Sequence, residues 1–187
     1  MTRIEIQEMQ KRIGATPDGF WGPQSIAACQ KHLRKLMPKP HPWPKSDQAS
    51  LTAFYGAAGD PMQLTVIPVL TLGVYYDGKP VKSIMCHHKV AQSLKRILEE
   101  IAAGPHAAIL RQYAGVYNNR TMRNGTSPSL HARGAAIDLA PDANANSTHW
   151  PIRATMPLAI MEAFAREGWL PAGAFWGRDA MHFQATR

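Results

Sequence analysis

The chain has 187 residues, of which 45% are hydrophobic and 18% charged, and carries a formal net charge of +8 with pI near 9.8. These values exclude wholesale disorder and leave room for one catalytic core with a small accessory unit. The positive charge suits an anionic partner, but the basic residues are dispersed and lack a clustered run interleaved with aromatics, so no nucleic-acid partner is expected.

The opening MTRIEIQEMQKRIG is amphipathic and charged throughout, unlike a secretory signal, and no run reaches the roughly 18 apolar residues of a membrane span. The protein is therefore expected to be made in the cytoplasm, to insert into no membrane and to be a monomer. Ile6, Met9 and Ile13 recur at helical spacing until Gly14 stops the pattern. Thr16 to Pro23 is dense in turn residues, and Pro23 suits the first turn of a second helix, whose apolar face is Ile26, Cys29, Leu33 and Leu36. Residues 1–36 thus read as a small all-α unit. The alternating prolines of MPKPHPWPKS cannot continue a helix, and residues 37–49 read as a Pro-rich linker.

From residue 50 the pattern is mixed. Leu64 to Val74 reads as a buried strand, Asp77-Gly78 as a turn, and Val81 to Met85 as a partner strand. Val90, Leu94, Ile97 and Ile101 define an amphipathic helix, and Ile109 to Tyr117 reads as another strand. Thr155 is expected to cap a last helix, with Pro157 in its first turn, Ile160, Met161 and Phe164 facing inward and Gly168 at its end. Strands and helices without regular βαβ alternation predict an α+β fold, with a small antiparallel sheet and flanking helices over residues 50–187.

Chemistry concentrates in two short stretches. Ser129-Leu130-His131-Ala132-Arg133-Gly134-Ala135-Ala136-Ile137-Asp138 holds an imidazole and a carboxylate separated by small residues that permit close backbone approach. Trp176-Gly177-Arg178-Asp179-Ala180-Met181-His182-Phe183 supplies a second imidazole. Two histidines and one carboxylate make a catalytic type of zinc set, since three protein ligands leave a fourth position for water. Spacing alone is a weak signal in a chain with eight histidines. Cys86-His87-His88 is a competing cluster, but three consecutive residues at a helix start diverge and do not converge on one ion. Cys29 and Cys86 are too few and too far apart for a disulfide scaffold, and both are expected to be reduced.

Ser129-x-His131-x-x-Gly134-x-Ala136-x-Asp138-Leu139, followed by Asp179-x-x-His182-Phe183, resembles the zinc D-alanyl-D-alanine carboxypeptidase family, which includes vancomycin-resistance carboxypeptidases and phage L-alanyl-D-glutamate endopeptidases. Tyr117-x-x-Arg120 lies where that family carries a tyrosine and an arginine, and Phe54-Tyr55-Gly56 resembles the start of the domain in some members. The resemblance implies Zn²⁺ held by His131, Asp138 and His182, and Asp179 as general base, where many relatives have glutamate. Arg120 becomes the candidate for stabilising the developing oxyanion, with Arg123 as its alternative. Ser129, Arg123 and Trp176 are candidates for contacting substrate. Gln7 to Leu33, around Asp18-Gly19-x-x-Gly22-Pro23-x-Ser25, resembles the short helical peptidoglycan-binding domain of wall hydrolases, which implies wall contact through Asp18, Phe20 and Trp21. Together these resemblances imply a peptidase of peptidoglycan stem peptides, and the unsignalled start, small size and basic charge resemble phage endolysins, which leave the host cytoplasm to reach the wall. The implied activity is an L-alanyl-D-glutamate endopeptidase; the alternatives are a D-alanyl-D-alanine carboxypeptidase and a non-catalytic peptidoglycan-binding protein.

Overall fold

A computed structural model describes residues 1–123 and 125–187. Helix α1 (Arg3–Ile13) starts at a capping box in which Thr2 and Glu5 satisfy each other's backbone amides, and it ends at Gly14 in the left-handed region. Helix α2 (Pro23–Leu36) has proline in its first turn and buries Cys29 and Leu33. The loop between them is tied by one buried side chain: the two N–H groups of Gln10 Nε2 are shared among three acceptors, Asp18 Oδ1 (2.7 Å), the Phe20 carbonyl (2.9 Å) and Ser25 Oγ (2.9 Å).

The stretch expected as a linker is packed. Trp43 is buried, donates from Nε1 to the Glu167 carbonyl (2.8 Å), and meets Trp169 edge-on. Helix α3 (Gln48–Tyr55), capped by Asp47, follows it; its eight residues show no clear apolar stripe and the sequence gives no forewarning of it.

Strands β1 (Leu64–Pro68) and β4 (Ser83–His87) pair antiparallel with Val66 opposite Met85, and β2 (Tyr75–Tyr76) and β3 (Lys79–Pro80) form a small hairpin over the Asp77-Gly78 turn. The expected strand from Leu64 to Val74 therefore stops at Pro68, after which a 3₁₀ turn over Leu70–Leu72 intervenes. Cys86 and His87 end a strand and do not start a helix. Helix α4 (Ala91–Ala103) buries Leu94, Ile97 and Ile101 as the spacing predicts. Of the strand expected over residues 109–117, only β5 (Tyr113–Gly115) is extended; the residues before it form a 3₁₀ turn.

A four-stranded antiparallel sheet carries the candidate ligands, in the order β5, β6 (Ala136–Leu139), β8 (His182–Gln184), β7 (Leu170–Pro171). A short helix α5 (Pro141–Asn144) follows β6. Helix α6 (Leu158–Arg166) begins after Pro157 with no side-chain cap, so Thr155 is not its cap. The amides of Thr155 and Met156 instead donate to Asn144 Oδ1, which holds the approach to the helix in another way. Helix α7 (Ala172–Trp176) links β7 to the second motif.

The buried apolar residues form one cluster that runs from Ile6, Trp21 and Leu33 to Phe183 and Ala185. Glu162 on α6, itself buried, fastens the first two helices to it: Arg12 Nε donates to Glu162 Oε1 (2.8 Å), and His32 Nε2 lies 2.8 Å from the same oxygen. The α+β class holds, but the N-terminal helices share a continuous core with the remainder and do not stand apart as an all-α unit. Among the described residues, no helix is long and apolar enough to cross a membrane.

Candidate metal centre

Sheet register assembles the centre. Asp138 on β6 and His182 on β8 are directly opposite each other, and their side chains leave the same face. His131 comes from a 3₁₀ turn (Leu130–Arg133) that Ser129 caps, its Oγ accepting from the His131 amide at 3.3 Å. Gly134 then takes φ +64° and brings this turn against β4, where its carbonyl accepts from the His87 amide at 2.9 Å. A Cβ at this position would lie 2.8 Å from the His87 nitrogen, so the small residue answers to a close approach of two backbones.

His131 Nε2 lies 3.2 Å from His182 Nδ1 and 3.4 Å from Asp138 Oδ2, and His182 Nδ1 lies 3.0 Å from Asp138 Oδ1. The far nitrogen of each ring faces an acceptor. His131 Nδ1 is 2.7 Å from the Val116 carbonyl, and His182 Nε2 is 3.1 Å from Gln184 Oε1, whose amide nitrogen in turn donates to Thr186 Oγ1 at 2.6 Å. These contacts place the ring protons away from the centre, so both inward nitrogens present lone pairs beside a carboxylate. Such an acceptor-only group repels itself unless a cation joins it, and the donor set fits a divalent ion of the zinc type. His131, Asp138 and His182 offer ligand atoms that all lie within 4.8 Å of one another.

The electrostatics favour positive charge at this point. Where no ion is bound, protons on the two imidazoles can take its place: burial pushes the Asp138 carboxyl up, but hydrogen bonds from protonated His131 and His182 and their charge outweigh it and hold Asp138 below the usual carboxylate range. For His182, burial opposes the charged ring, yet the hydrogen bond and charge of Asp138, with the charge of Asp179, raise its pKa.

Asp179 adopts a left-handed conformation at φ +58°, and its carbonyl accepts from the His182 amide at 2.9 Å. This turn sets both side chains on the same cleft. Asp179 Oδ1 is buried and has no hydrogen-bond partner among the described residues. Burial raises its pKa; the Asp138 charge adds to the shift, while His182, Arg123 and Arg178 pull against it. A carboxylate left unsatisfied beside a metal-type triad is suited to take a proton.

Two clefts meet at the triad, of about 420 Å³ and 360 Å³, near the lower end of the ~300–1,000 Å³ usual for ligand sites. The first is bounded by Asp179, Arg123, Arg178 and Trp176, and Ser129 reaches it as well. Trp176 is half exposed and lies nearly parallel to the His182 ring at 5.6 Å, as a wall of the cleft. The second is bounded by Tyr76, Met85, Tyr113 and Tyr117. His131, Asp138 and Arg120 line both. Arg120 is held there by backbone pairing, since its carbonyl accepts from the Ser129 amide at 3.0 Å.

Other expected site residues lie elsewhere. Phe20 is 71% exposed at the tip of the first loop, with the Asp18 carboxylate accepting from its amide. Trp21 is only 8% exposed and packs edge-on against Trp150 at 5.3 Å, which fits a core role better than wall contact. Cys86 and His87 are buried and are not part of the His131–Asp138–His182 group. Gln184 was readable in principle, because residues two apart on a strand share a face. The Val116 carbonyl and the tyrosine cleft have no sequence signature, the one being backbone and the other assembled from three separate segments.

Residues 123–185, about a third of the chain, match a family model described as D-alanyl-D-alanine carboxypeptidase. The matched span contains His131, Asp138, Asp179 and His182 and excludes Arg120 and the N-terminal helices. No curated protein and no solved structure matches the chain. The match and the His–Asp–His group together support a metallopeptidase.

Proposed function

We propose that the protein is a zinc peptidase that hydrolyses an internal bond of peptidoglycan stem peptides, with L-alanyl-D-glutamate as the preferred bond. The observation that carries the reading is the triad with both imidazoles oriented from behind and the unsatisfied Asp179 beside it, on a cleft that continues past the triad in both directions. A site open on both sides accommodates a chain that extends beyond the scissile bond either way, as an endopeptidase requires.

His131, Asp138 and His182 would hold the ion. When bound, zinc polarises the carbonyl and lowers the pKa of water towards about 7. Asp179 takes the proton of the attacking water and later gives it to the departing nitrogen. Arg120, between the two clefts, faces the carbonyl oxygen as negative charge develops there. Ser129 fixes the turn that presents His131, and Trp176 shields the His182 side from bulk water.

The alternative, release of terminal D-alanine, is favoured by the description of the matching family model. Purified peptidoglycan incubated with the zinc-loaded protein separates the two: glycan strands whose stems end at L-alanine and released peptides that begin at D-glutamate are expected, abolished by EDTA. Free D-alanine as the sole product overturns the preferred bond. Metal-independent release overturns the zinc reading, and absence of any release favours a non-catalytic wall-binding protein.

The phage endolysin context belongs to the same proposal, with passage from the host cytoplasm to the wall and action as a monomer. The exposed Phe20 and the adjoining Asp18 support wall contact at the first loop. Pull-down on insoluble peptidoglycan tests this, with Phe20→Ala expected to weaken retention and Trp21→Ala expected to act through folding.

A further inference from the structure

The two clefts differ in chemistry, and the difference bears on how a substrate lies. Asp179 borders the first cleft alone, together with Arg123 and Arg178; the second has a tyrosine and methionine wall, with Asp138 at its inner end. On the reading of the chain as a peptidoglycan peptidase, we propose that the stem peptide crosses the triad in one direction: the residue that becomes the new amine lies in the arginine cleft, and the acyl half, with the sugar attached to it, lies along the tyrosine cleft.

The direction follows from the proton. In hydrolysis the water oxygen joins the carbonyl carbon, the carbon–nitrogen bond breaks, and the departing nitrogen must gain a proton. Atoms balance if one proton of the water reaches that nitrogen through a single group close to both. Among the described residues, Asp179 is the carboxylate with an unsatisfied buried oxygen, and it lines the first cleft and not the second. The nitrogen therefore leaves on that side.

Arg123 and Arg178 then face the residue that follows the broken bond. Both line the same cleft as Asp179, the side on which the new amine forms. A guanidinium pairs with carboxylate through two parallel hydrogen bonds, so this side fits a residue with a free carboxylate. The α-carboxylate of a γ-linked D-glutamate meets that requirement. On the opposite side Tyr76 is 56% exposed and meets Tyr113 edge-on at 6.3 Å. Met85 and its cross-strand partner Val66 extend the apolar surface outward, both exposed to solvent. Beyond the Arg120, His131 and Asp138 that both clefts share, this tyrosine and methionine wall suits an alanyl residue and the C–H face of the hexosamine that carries it, which packs against the electron-rich face of an aromatic ring.

Steady-state kinetics of the zinc-loaded protein on three synthetic substrates test the direction. The first is N-acetylmuramyl-L-alanyl-γ-D-glutamyl-lysine with its α-carboxylate free, the second has that carboxylate amidated, and the third replaces the muramyl group by acetyl. Amidation is expected to lower kcat/KM about tenfold or more. The double variant Arg123→Ala/Arg178→Ala should erase this preference, while Tyr76→Ala should raise KM severalfold for muramyl substrates only. These three side chains are largely exposed and circular dichroism is expected to be unchanged. The opposite pattern, in which the arginine variant loses the muramyl preference or Tyr76→Ala loses the carboxylate preference, overturns the direction while the peptidase reading stands. Equal effects on all three substrates also overturn it. If the wild-type protein cleaves none of them, the peptidase reading fails and the direction with it.

Discussion

Asp138 and His182 stand opposite each other on neighbouring antiparallel strands, with carboxylate Oδ1 3.0 Å from imidazole Nδ1. The sheet's own hydrogen bonds set this spacing, so the pair forms when the sheet does. Asp138→Asn keeps the size and most hydrogen bonds but removes the charge that offsets a divalent ion. Metal affinity should fall by more than the roughly 10–100-fold expected from losing an outer partner, with the secondary structure retained. Competition with a chelator of known affinity reads the loss, and unchanged affinity would remove Asp138 from the ligand set.

Gln184 supports His182 from behind, and Thr186 orients Gln184 in turn. Gln184→Ala should weaken metal binding by about 10–100-fold without touching a ligand. Titration of the apo protein with zinc measures this, and Gln184→Glu should recover most of the affinity because it restores an acceptor for the ring N–H.

Asp179 is three residues from His182 in sequence and offers no atom to the triad. Asp179→Asn should therefore leave bound metal near the wild-type level while kcat falls by about 10²–10⁴, the range of a general base. A parallel loss of metal would recast Asp179 as a ligand or a structural support.

Arg12 reaches from α1 to the buried Glu162 on α6. Arg12→Ala leaves that carboxylate with His32 as its remaining partner, and because Arg12 is half exposed the cost should be about 1–3 kcal/mol, below that of a fully buried pair. Urea denaturation gives the magnitude. Limited proteolysis should cut first between α1 and α2.

His87 is buried with both ring nitrogens satisfied in the neutral state: Nε2 donates to the Tyr55 carbonyl at 2.9 Å and Nδ1 accepts from the Lys89 amide at 3.0 Å. Burial holds its pKa below the ordinary value, with the charges of His88 and Lys89 acting in the same direction. The unfolded chain therefore takes up a proton near pH 6.5 that the folded chain resists, and stability present above that pH is lost as pH falls, by at most about 1.4 kcal/mol per unit. His87→Gln should flatten the decline of the urea midpoint between pH 7 and 5. An unchanged slope would place the effect on other groups.

The triad was legible through the family resemblance that its two short motifs carry, and the turn at Asp179 sets a carboxylate on the same cleft as the last of its residues. The sheet that aligns them was not legible: β6, β7 and β8 have two to four residues each, too few to show a period. The resemblance of the first loop to a wall-binding domain implies wall contact through Trp21, whereas Trp150, far away in sequence, packs against it. The prolines of residues 37–46 rule out a helix, but composition could not show that Trp43 pins the segment to the Glu167 carbonyl. Local chemistry leaves a mark in sequence, whereas long-range packing partners leave none.

The interlock at Glu162 limits how the protein can be re-engineered. A fragment starting at the Pro-rich segment would bare Glu162 and Trp150, and it would lose the cover that Trp21, Cys29 and Leu33 provide in the common core. Exchanging the first 36 residues for another targeting unit thus calls for redesign of the exposed α6 face, with Glu162 replaced by an apolar side chain, or else for a fusion that retains both helices and adds the new unit ahead of Met1.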